Sequence, residues 1–191
     1  MTFIVVGSMV MMLSAFSYGD KDTSDKDRLG MALEYFQSRK YHEALLLFRK
    51  LDKGYRLNPR FKAYMGVCYF YDKDYRNALK CFDESIPKLE MMAPHERSVY
   101  YYMAAQSNYM TERYADALPL YEQTLNVCYD NEKGDILFGI ASCYEMLDST
   151  DTARDFYMSA RLYYTQFNNV DDRRENMAKI DSVLYPNTAG K

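Results

Sequence analysis

Small and aromatic residues recur at fixed intervals along the chain. Residues 41–48 read YHEALLLF and residues 75–82 read YRNALKCF, so both share the pattern Tyr-x-x-Ala-x-x-x-Phe. Weaker copies occur at residues 114–121 and 150–157. The alanines of the copies are separated by 34, 39 and 36 residues, and such a period is typical of repeat arrays. These alanines are Ala44, Ala78, Ala117 and Ala153.

Each copy forms the second half of a predicted pair of helices. Twelve residues before each alanine is another small residue, and a three-residue turn separates the two halves. A turn that short places two helices antiparallel, and small residues at their crossing let the backbones approach. An aromatic residue one turn beyond each alanine is predicted to fill the remaining space. The small residues are Ala32, Gly66, Ala105 and Ala141, and the aromatic residues are Phe48, Phe82, Tyr121 and Tyr157.

This pattern resembles the tetratricopeptide repeat, which has W-x2-L-G-x2-Y, then A-x3-F, then P. The second unit is most similar, with Met65, Gly66, Tyr69, Ala78 and Phe82. The resemblance covers about residues 25–166 and implies an all-α fold, a right-handed α-solenoid of four antiparallel helix hairpins. The Trp position differs in every unit, where it is Arg28, Lys62, Tyr101 or Leu137.

The chain is therefore predicted to have one repeat domain, over residues 20–191. Its units are expected at about residues 25–58, 59–97, 98–133 and 134–167, with a five-residue excess near MMAPHER (91–97). A capping helix is predicted at about residues 170–185, because Met177, Ile180 and Leu184 share one helical face. Asp171 or Asp172 is expected to cap its N-terminus, and Pro186 to end it.

The N-terminal segment differs in character from the rest of the chain. Its first 17 residues carry no charged side chain and end in a small-x-small triplet, Ala15-Phe16-Ser17. This composition is typical of a secretory signal, so residues 1–19 are predicted to be a signal peptide that directs a periplasmic or secreted protein. A retained membrane anchor and a buried helix of a cytosolic protein remain the alternatives.

Composition narrows the classes of function. The net charge is −3, and no run of Lys or Arg suggests a phosphate-binding face, so nucleic acid is not an expected partner. The chain has two histidines and four cysteines without metal-ligand spacing, and the cysteines are predicted to be free core thiols. No metal, cofactor or catalytic motif is expected, so the protein is predicted not to be an enzyme. The cysteines are Cys68, Cys81, Cys128 and Cys143.

Aromatic residues are unusually abundant on the first helix of each unit. The chain has 20 Tyr, 10 Phe and no Trp, and RFKAYMGVCYFYD (60–72) is apolar nearly all round. A helix on a globular core needs only one apolar stripe, so a second surface must be covered by something else. By resemblance to the repeat family, that surface is a concave groove that holds peptides. The corresponding groove residues are Phe36, Phe70, Tyr71, Tyr102, Tyr109, Phe138 and Met146.

The same aromatic residues could instead form core between hairpins, and the sequence leaves both interpretations open. The family's Lys/Asn clamp for a terminal carboxylate is absent, since the matching positions include Leu29, Leu33, Ala63 and Tyr64. The expected function is a scaffold or assembly factor that binds a peptide or protein segment in a bacterial cell envelope. The alternatives are a membrane-anchored sensory or regulatory input module and a homo-oligomerising structural protein.

Overall fold

The computed structural model describes residues 24–167 and 173–186, which contain nine α-helices, two 3₁₀ turns and no β-strand. The 3₁₀ turns are Ile86–Lys88 and Asp130–Glu132. The all-α prediction is confirmed. The helices are α1 (Asp25–Gln37), α2 (Tyr41–Tyr55), α3 (Pro59–Tyr71), α4 (Tyr75–Ser85), α5 (Pro94–Met110), α6 (Tyr114–Leu125), α7 (Lys133–Met146), α8 (Thr150–Gln166) and α9 (Arg174–Leu184).

The helices form four antiparallel hairpins that stack in chain order. Each of α1, α3, α5 and α7 packs most extensively on the helix that follows it, and each hairpin then packs on the next. Helix α9 packs on α8 and closes the stack. This is the predicted right-handed solenoid of four hairpins with a C-terminal capping helix, and a stack of this kind buries apolar surface that a single hairpin leaves exposed.

The predicted crossings lie at the centre of each hairpin. The anchoring alanines and the small residues on the facing helices are buried, and the four aromatic rings beyond the alanines are fully buried. The closest approach is at Gly66, where a Cβ would come 2.6 Å from Cε1 of Phe82. A small residue is needed there because the ring occupies the space that any side chain would take.

The four hairpin turns share one backbone conformation. The middle residue of each has a left-handed φ between 58° and 62°, although none is glycine. The backbone N–H of the residue that follows donates to a carbonyl five residues earlier, as in Lys40 to Tyr35 and Asp74 to Tyr69. This is the Schellman pattern, which satisfies carbonyls that a helix end leaves free. The middle residues are Arg39, Lys73, Glu112 and Asp148.

The extra residues between the second and third units form a loop and an additional first turn of helix α5. Helix α5 begins at Pro94, four residues before the unit boundary expected at residue 98, and Pro suits this first helical position because its missing N–H is not needed there. The added turn carries Glu96, which accepts three hydrogen bonds from the guanidinium of Arg60 on α3, at 2.7, 2.9 and 3.0 Å. The longer helix therefore connects the second and third hairpins.

The capping helix is shorter than predicted, since α9 begins at Arg174 and ends at Leu184. Ile180 and Leu184 are buried against α8, as the sequence pattern predicts, and Met177 packs beside them. The two aspartates expected to cap this helix, and the predicted signal segment at residues 1–19, lie outside the described residues. None of the described helices combines the length and the hydrophobicity that a membrane crossing requires.

Candidate protein-binding face

The seven predicted groove residues all lie on the first helices of the hairpins, α1, α3, α5 and α7. We call the surface that these residues form the first-helix face. Tyr71 and Met146 are the most exposed of the seven, at 49% and 50% of their full accessible surface. The other five are partly buried. Two of the seven predicted residues are therefore well exposed, and the other five also pack against the hairpins.

Three of the partly buried rings lie at equivalent positions, each beside a hairpin turn. Each ring packs edge to face on the tyrosine that begins the following helix. Such aromatic pairs stabilise a fold beyond the area that they bury. These rings thus support the turns and present only part of their surface to a partner. The pairs are Phe36–Tyr41 at 5.7 Å, Phe70–Tyr75 at 5.7 Å and Tyr109–Tyr114 at 5.3 Å between ring centroids.

Tyr71 connects two neighbouring hairpins through its ring. It stacks on Tyr41 with 4.1 Å between centroids and an interplanar angle of 5°. Beside this stack, Nδ1 of His42 lies 2.8 Å from Oδ2 of Asp72. One face of the Tyr71 ring is therefore engaged within the molecule, while about half of the side chain stays open to solvent.

Tyr102 and Phe138 occupy equivalent positions on α5 and α7. Each packs edge to face on a fully buried tyrosine, Tyr121 at 6.1 Å and Tyr157 at 5.5 Å. Burial raises the pKa of Tyr102 to about 12, and the nearby charge of Asp135 adds to the shift. Both residues belong to the edge of the core, and they do not project freely from the first-helix face.

A cleft opens beside Tyr102, and we call it the α5–α7 cleft. Its volume is about 280 Å³. Val99, Tyr102 and Met103 of α5 form one wall, and Asp135 and Ile136 of α7 form the other. Most of this lining surface is apolar, with a few polar groups among it, which is the usual composition of a binding pocket.

The remaining lining comes from three other parts of the chain. Thr124 of α6 is buried, and Cys128, three residues after α6, is partly buried. Glu132 and Arg173 also line the cleft, and we call them its rim because their side chains are 41% and 39% exposed. Arg173 immediately precedes α9, so the capping segment contributes to the cleft. The cleft is thus assembled from two hairpins and from the C-terminal cap.

The charged groups at the rim form a connected network. The guanidinium of Arg173 donates from Nε to Oδ1 of Asp135 at 2.6 Å and from a terminal nitrogen to Oδ2 at 2.7 Å. The hydroxyl of Tyr164 donates to Oδ1 of Asp135 at 2.9 Å, and the Asn176 amide donates to that hydroxyl at 3.0 Å. A paired guanidinium and carboxylate of this geometry hold the capping segment against α7.

Of the residues that line this cleft, only Tyr102 is among the groove residues predicted from the sequence. Val99 and Asp135 each lie three residues before Tyr102 and Phe138, so they share a helical face with those predicted residues. Extending the predicted stripe by one helical turn would have found both. No comparable signal points to Arg173, because its position depends on how α9 packs on α8.

Two larger depressions, of about 460 and 380 Å³, lie around the turn between α5 and α6. Arg76 and Thr111 line both of them. Most of the residues that line them are Lys, Arg, Asp and Glu, and a smaller share of their lining is apolar than in the α5–α7 cleft. The smaller cleft is the better candidate for a binding site, because it combines apolar walls with a few convergent polar groups.

Three of the four cysteines are unreactive core thiols. All four are free thiols, and burial raises the pKa of Cys68, Cys81 and Cys143 to about 12. A thiol with so high a pKa is protonated at neutral pH and unreactive. Within the described part of the chain, no cluster of His, Cys, Asp and Glu has the arrangement of a metal site.

Comparisons with known proteins find similarity in structure alone. No protein-family model matches the chain, and no curated protein sequence does. Several solved structures do match, at low sequence identity. MamA, residues 41 to the end, from Desulfovibrio magneticus RS-1 has a TM-score of 0.58 at 14% identity, over 86% of this chain and 97% of that one.

Two further solved structures are similar. PilF of Pseudomonas aeruginosa has a TM-score of 0.54 at 17% identity, over 88% of this chain and 79% of that one. A kinesin light chain with nearly identical TPR-like repeats, from Podospora anserina, has a TM-score of 0.55 at 10% identity, over 84% of this chain and 94% of that one. Likeness at this identity shows a shared fold, which is a solenoid of helical repeats.

Proposed function

We propose that this chain, which has the fold of tetratricopeptide-repeat solenoids, is a non-enzymatic scaffold or assembly factor that binds a segment of another polypeptide. The observation that carries the proposal is the α5–α7 cleft, an apolar cavity of about 280 Å³ on the first-helix face. Cavities of this kind accept the anchoring side chains of a partner, which supply most of the binding energy of an interface.

The exposed members of the first-helix face support the same proposal. Tyr71 and Met146 lie at equivalent ends of α3 and α7, and about half of each side chain is open to solvent. Tyrosine and methionine are enriched at the cores of protein interfaces. We therefore assign the partner's contacts to a surface that includes the α5–α7 cleft and these two side chains.

We further propose that the protein acts in a bacterial cell envelope, after export directed by residues 1–19. The apolar character of this segment and its small-x-small triplet support the proposal. Sequencing the N-terminus of the native protein tests it, with a mature start near Tyr18 as the expected result. A native chain that keeps residues 1–17 would contradict cleavage and favour a membrane-anchored protein.

A pull-down from envelope extract with residues 20–191 tests the binding function. The informative variant is Tyr71→Ala/Met146→Ala, which removes exposed side chains of the first-helix face. Met91→Ala is the matched control, because Met91 is 99% exposed and lies on the loop before α5. We expect the double variant to lose a partner that the wild type and the control both retain. Equal recovery by all three proteins would contradict the proposal.

A further inference from the structure

The size and lining of the α5–α7 cleft indicate what it can hold. Its volume of about 280 Å³ greatly exceeds the share of a single water molecule in the liquid, about 30 Å³. It is also just below the range of small-molecule pockets, about 300–1,000 Å³. Val99, Met103 and Ile136 provide apolar walls beside the ring of Tyr102. One apolar side chain of a partner matches this space.

The mouth of the cleft is acidic. Glu132 and Asp135 both line the cleft, with side chains that are 41% and 23% exposed, and we call these two carboxylates its acidic mouth. The Glu132 carboxylate accepts a hydrogen bond from the backbone N–H of Tyr129 at 2.9 Å, and Nδ1 of His95 is 3.5 Å away. Within residues 24–167 and 173–186, no Lys or Arg forms an ion pair with Glu132. Acidic residues also outnumber basic ones between residues 91 and 167.

Among the side chains that line the cleft, the only Lys or Arg in the described part of the chain is Arg173. It forms the bidentate ion pair with Asp135, and about 39% of its side chain remains exposed. Asp135 is also 23% exposed, so both members of the ion pair are in contact with solvent, and the charge of an incoming group can compete for the carboxylate. The capping segment thus places a cation of this chain on the acidic mouth.

We propose that the α5–α7 cleft is an anchor site for one apolar side chain of the partner segment, and that a neighbouring Lys or Arg of that segment pairs with the acidic mouth. Arg173 competes with this cation for Asp135, so the capping segment limits access to the site. Charge complementarity determines the choice of partner, since a carboxylate beside the anchor would face Glu132 and Asp135. This inference rests on the proposed function, because it names the chemistry of the segment bound on the same face.

Other contacts that hold α9 do not involve Arg173. Lys179 pairs with Glu145 at 2.6 Å, and Arg161 pairs with Asp181 at 3.0 Å, both away from the cleft. The buried side chain of Ile180 also holds α9 on α8. A partner cation bound to Asp135 therefore weakens the Arg173–Asp135 pair, and that pair in turn weakens binding of the partner. Helix α9 stays folded in both states.

Cys128 makes this inference testable in the full-length protein. Its thiol lines the cleft and is only partly buried, although burial raises its pKa too, whereas the three other thiols are buried and have pKa values of about 12. Cys128 is therefore the expected site of modification by thiol reagents. The rate of Cys128 labelling is measured at pH 8 by mass spectrometry with two methanethiosulfonate reagents, one with a cationic trimethylammonium group and one with an anionic sulfonate group. Each rate is divided by the rate of the same reagent with a short cysteine peptide. Cys128→Ser should abolish the signal.

The acidic mouth predicts a charge preference in these rates. We expect the cationic reagent to react about 5-fold or more faster than the anionic one after normalisation. Glu132→Gln should reduce the ratio of the cationic to the anionic labelling rate, and Arg173→Gln should raise this ratio. Arg161→Gln removes a contact of α9 away from the cleft and should leave the ratio unchanged. A ratio near one in the wild type, or a fall in Arg173→Gln, would overturn the inference. Circular dichroism confirms that each variant is folded.

A peptide probe tests the anchor and its charge together. The probe is a 12-residue peptide with one Phe between two Arg, and its control has Glu in place of both Arg. We expect the Arg peptide to slow labelling of Cys128, more strongly in Arg173→Gln than in the wild type, and the Glu peptide to have no effect. Equal protection by both peptides, absence of protection, or weaker protection in Arg173→Gln would refute the competition.

The two proposals fail in different measurements. If the pull-down depends on Tyr71 and Met146 but Cys128 labelling shows no charge preference, the scaffold function stands and the anchor chemistry is wrong. If labelling shows the preference and the Arg peptide protects, but the pull-down recovers no partner that depends on the first-helix face, the cleft is a cation-selective site and the proposed scaffold function fails.

Discussion

The ring of Phe82 lies against the backbone of Gly66, so that a Cβ at residue 66 would come 2.6 Å from Cε1 of the ring. The two residues belong to the facing helices α3 and α4, and both are buried. This contact determines how closely the second hairpin can close. The same relationship recurs in the fourth hairpin, where a Cβ on Gly134 would come 2.6 Å from Cδ1 of Tyr164.

The contact predicts the effect of a single methyl group. Gly66→Ala should lower the free energy of unfolding by about 1–3 kcal/mol, because the buried ring must shift to admit the Cβ. Gly30→Ala is the matched control on α1, where nothing lies within 4 Å of the added carbon. The control should raise stability by up to about 1 kcal/mol, since alanine is the better helix former. Urea denaturation measures both, and a stable Gly66→Ala variant would contradict the close packing.

The left-handed hairpin turns predict a stabilising substitution. Lys73 has a φ of 61°, a conformation that costs a residue with a Cβ roughly 1–2 kcal/mol. Lys73→Gly should therefore raise the thermal midpoint, although glycine's greater freedom in the unfolded chain offsets part of the gain. Lys73→Val should lower it, because a β-branched residue fits this conformation poorly. Differential scanning calorimetry checks the order Gly above Lys above Val, and the reverse order would refute it.

Stability at acid pH should depend on Glu145. Burial acts to raise its pKa, but hydrogen bonds from Lys179 and Tyr157 hold the pKa below its usual range. A carboxylate with a lowered pKa in the folded state stabilises the fold above its unfolded pKa, about 4.3, and loses this contribution as the pH falls through the folded value. The difference in thermal midpoint between the wild type and Glu145→Gln should be constant above about pH 5.5 and shrink below about pH 4.

Thermal melts of both proteins from pH 3 to pH 7 measure this difference. Asp151→Asn is a suitable control, because Asp151 is an exposed residue on α8 with no ion pair among the described residues. Its effect should not follow the same profile. A difference for Glu145→Gln that grows as the pH falls would contradict the depressed pKa.

Truncation of the predicted groove residues should separate packing from binding. Tyr102→Ala and Phe138→Ala should each lower the free energy of unfolding by about 2–4 kcal/mol, because both rings pack on fully buried tyrosines. Met146→Ala should cost less than about 1 kcal/mol, since half of its side chain is already exposed. Tyr71→Ala should cost about 1–2 kcal/mol, because its half-exposed ring also stacks on Tyr41. Chemical denaturation of the four variants tests this order, and equal losses would contradict the assignment of Tyr102 and Phe138 to the edge of the core.

The sequence alone predicted the hairpin architecture, because that architecture depends on local periodicity. The alanines from Ala44 to Ala153 and the aromatic rings beyond them define which helical faces meet, and short turns determine that neighbours are antiparallel. The turn lengths were also evident. The left-handed conformation of residues such as Lys73 and Glu112 could not be predicted from the sequence, because glycine usually signals this conformation and neither residue is glycine.

The candidate site was decided by tertiary structure. Tyr102 was predicted from its helical position, but its packing on Tyr121 depends on how α5 and α6 meet in space. Asp135 and Arg173 are 38 residues apart and come together only because the buried side chains of α9 fix its position on α8. Local sequence patterns determine the faces of each helix. The register between distant helices is set by side-chain packing, and that register is what assembles the α5–α7 cleft.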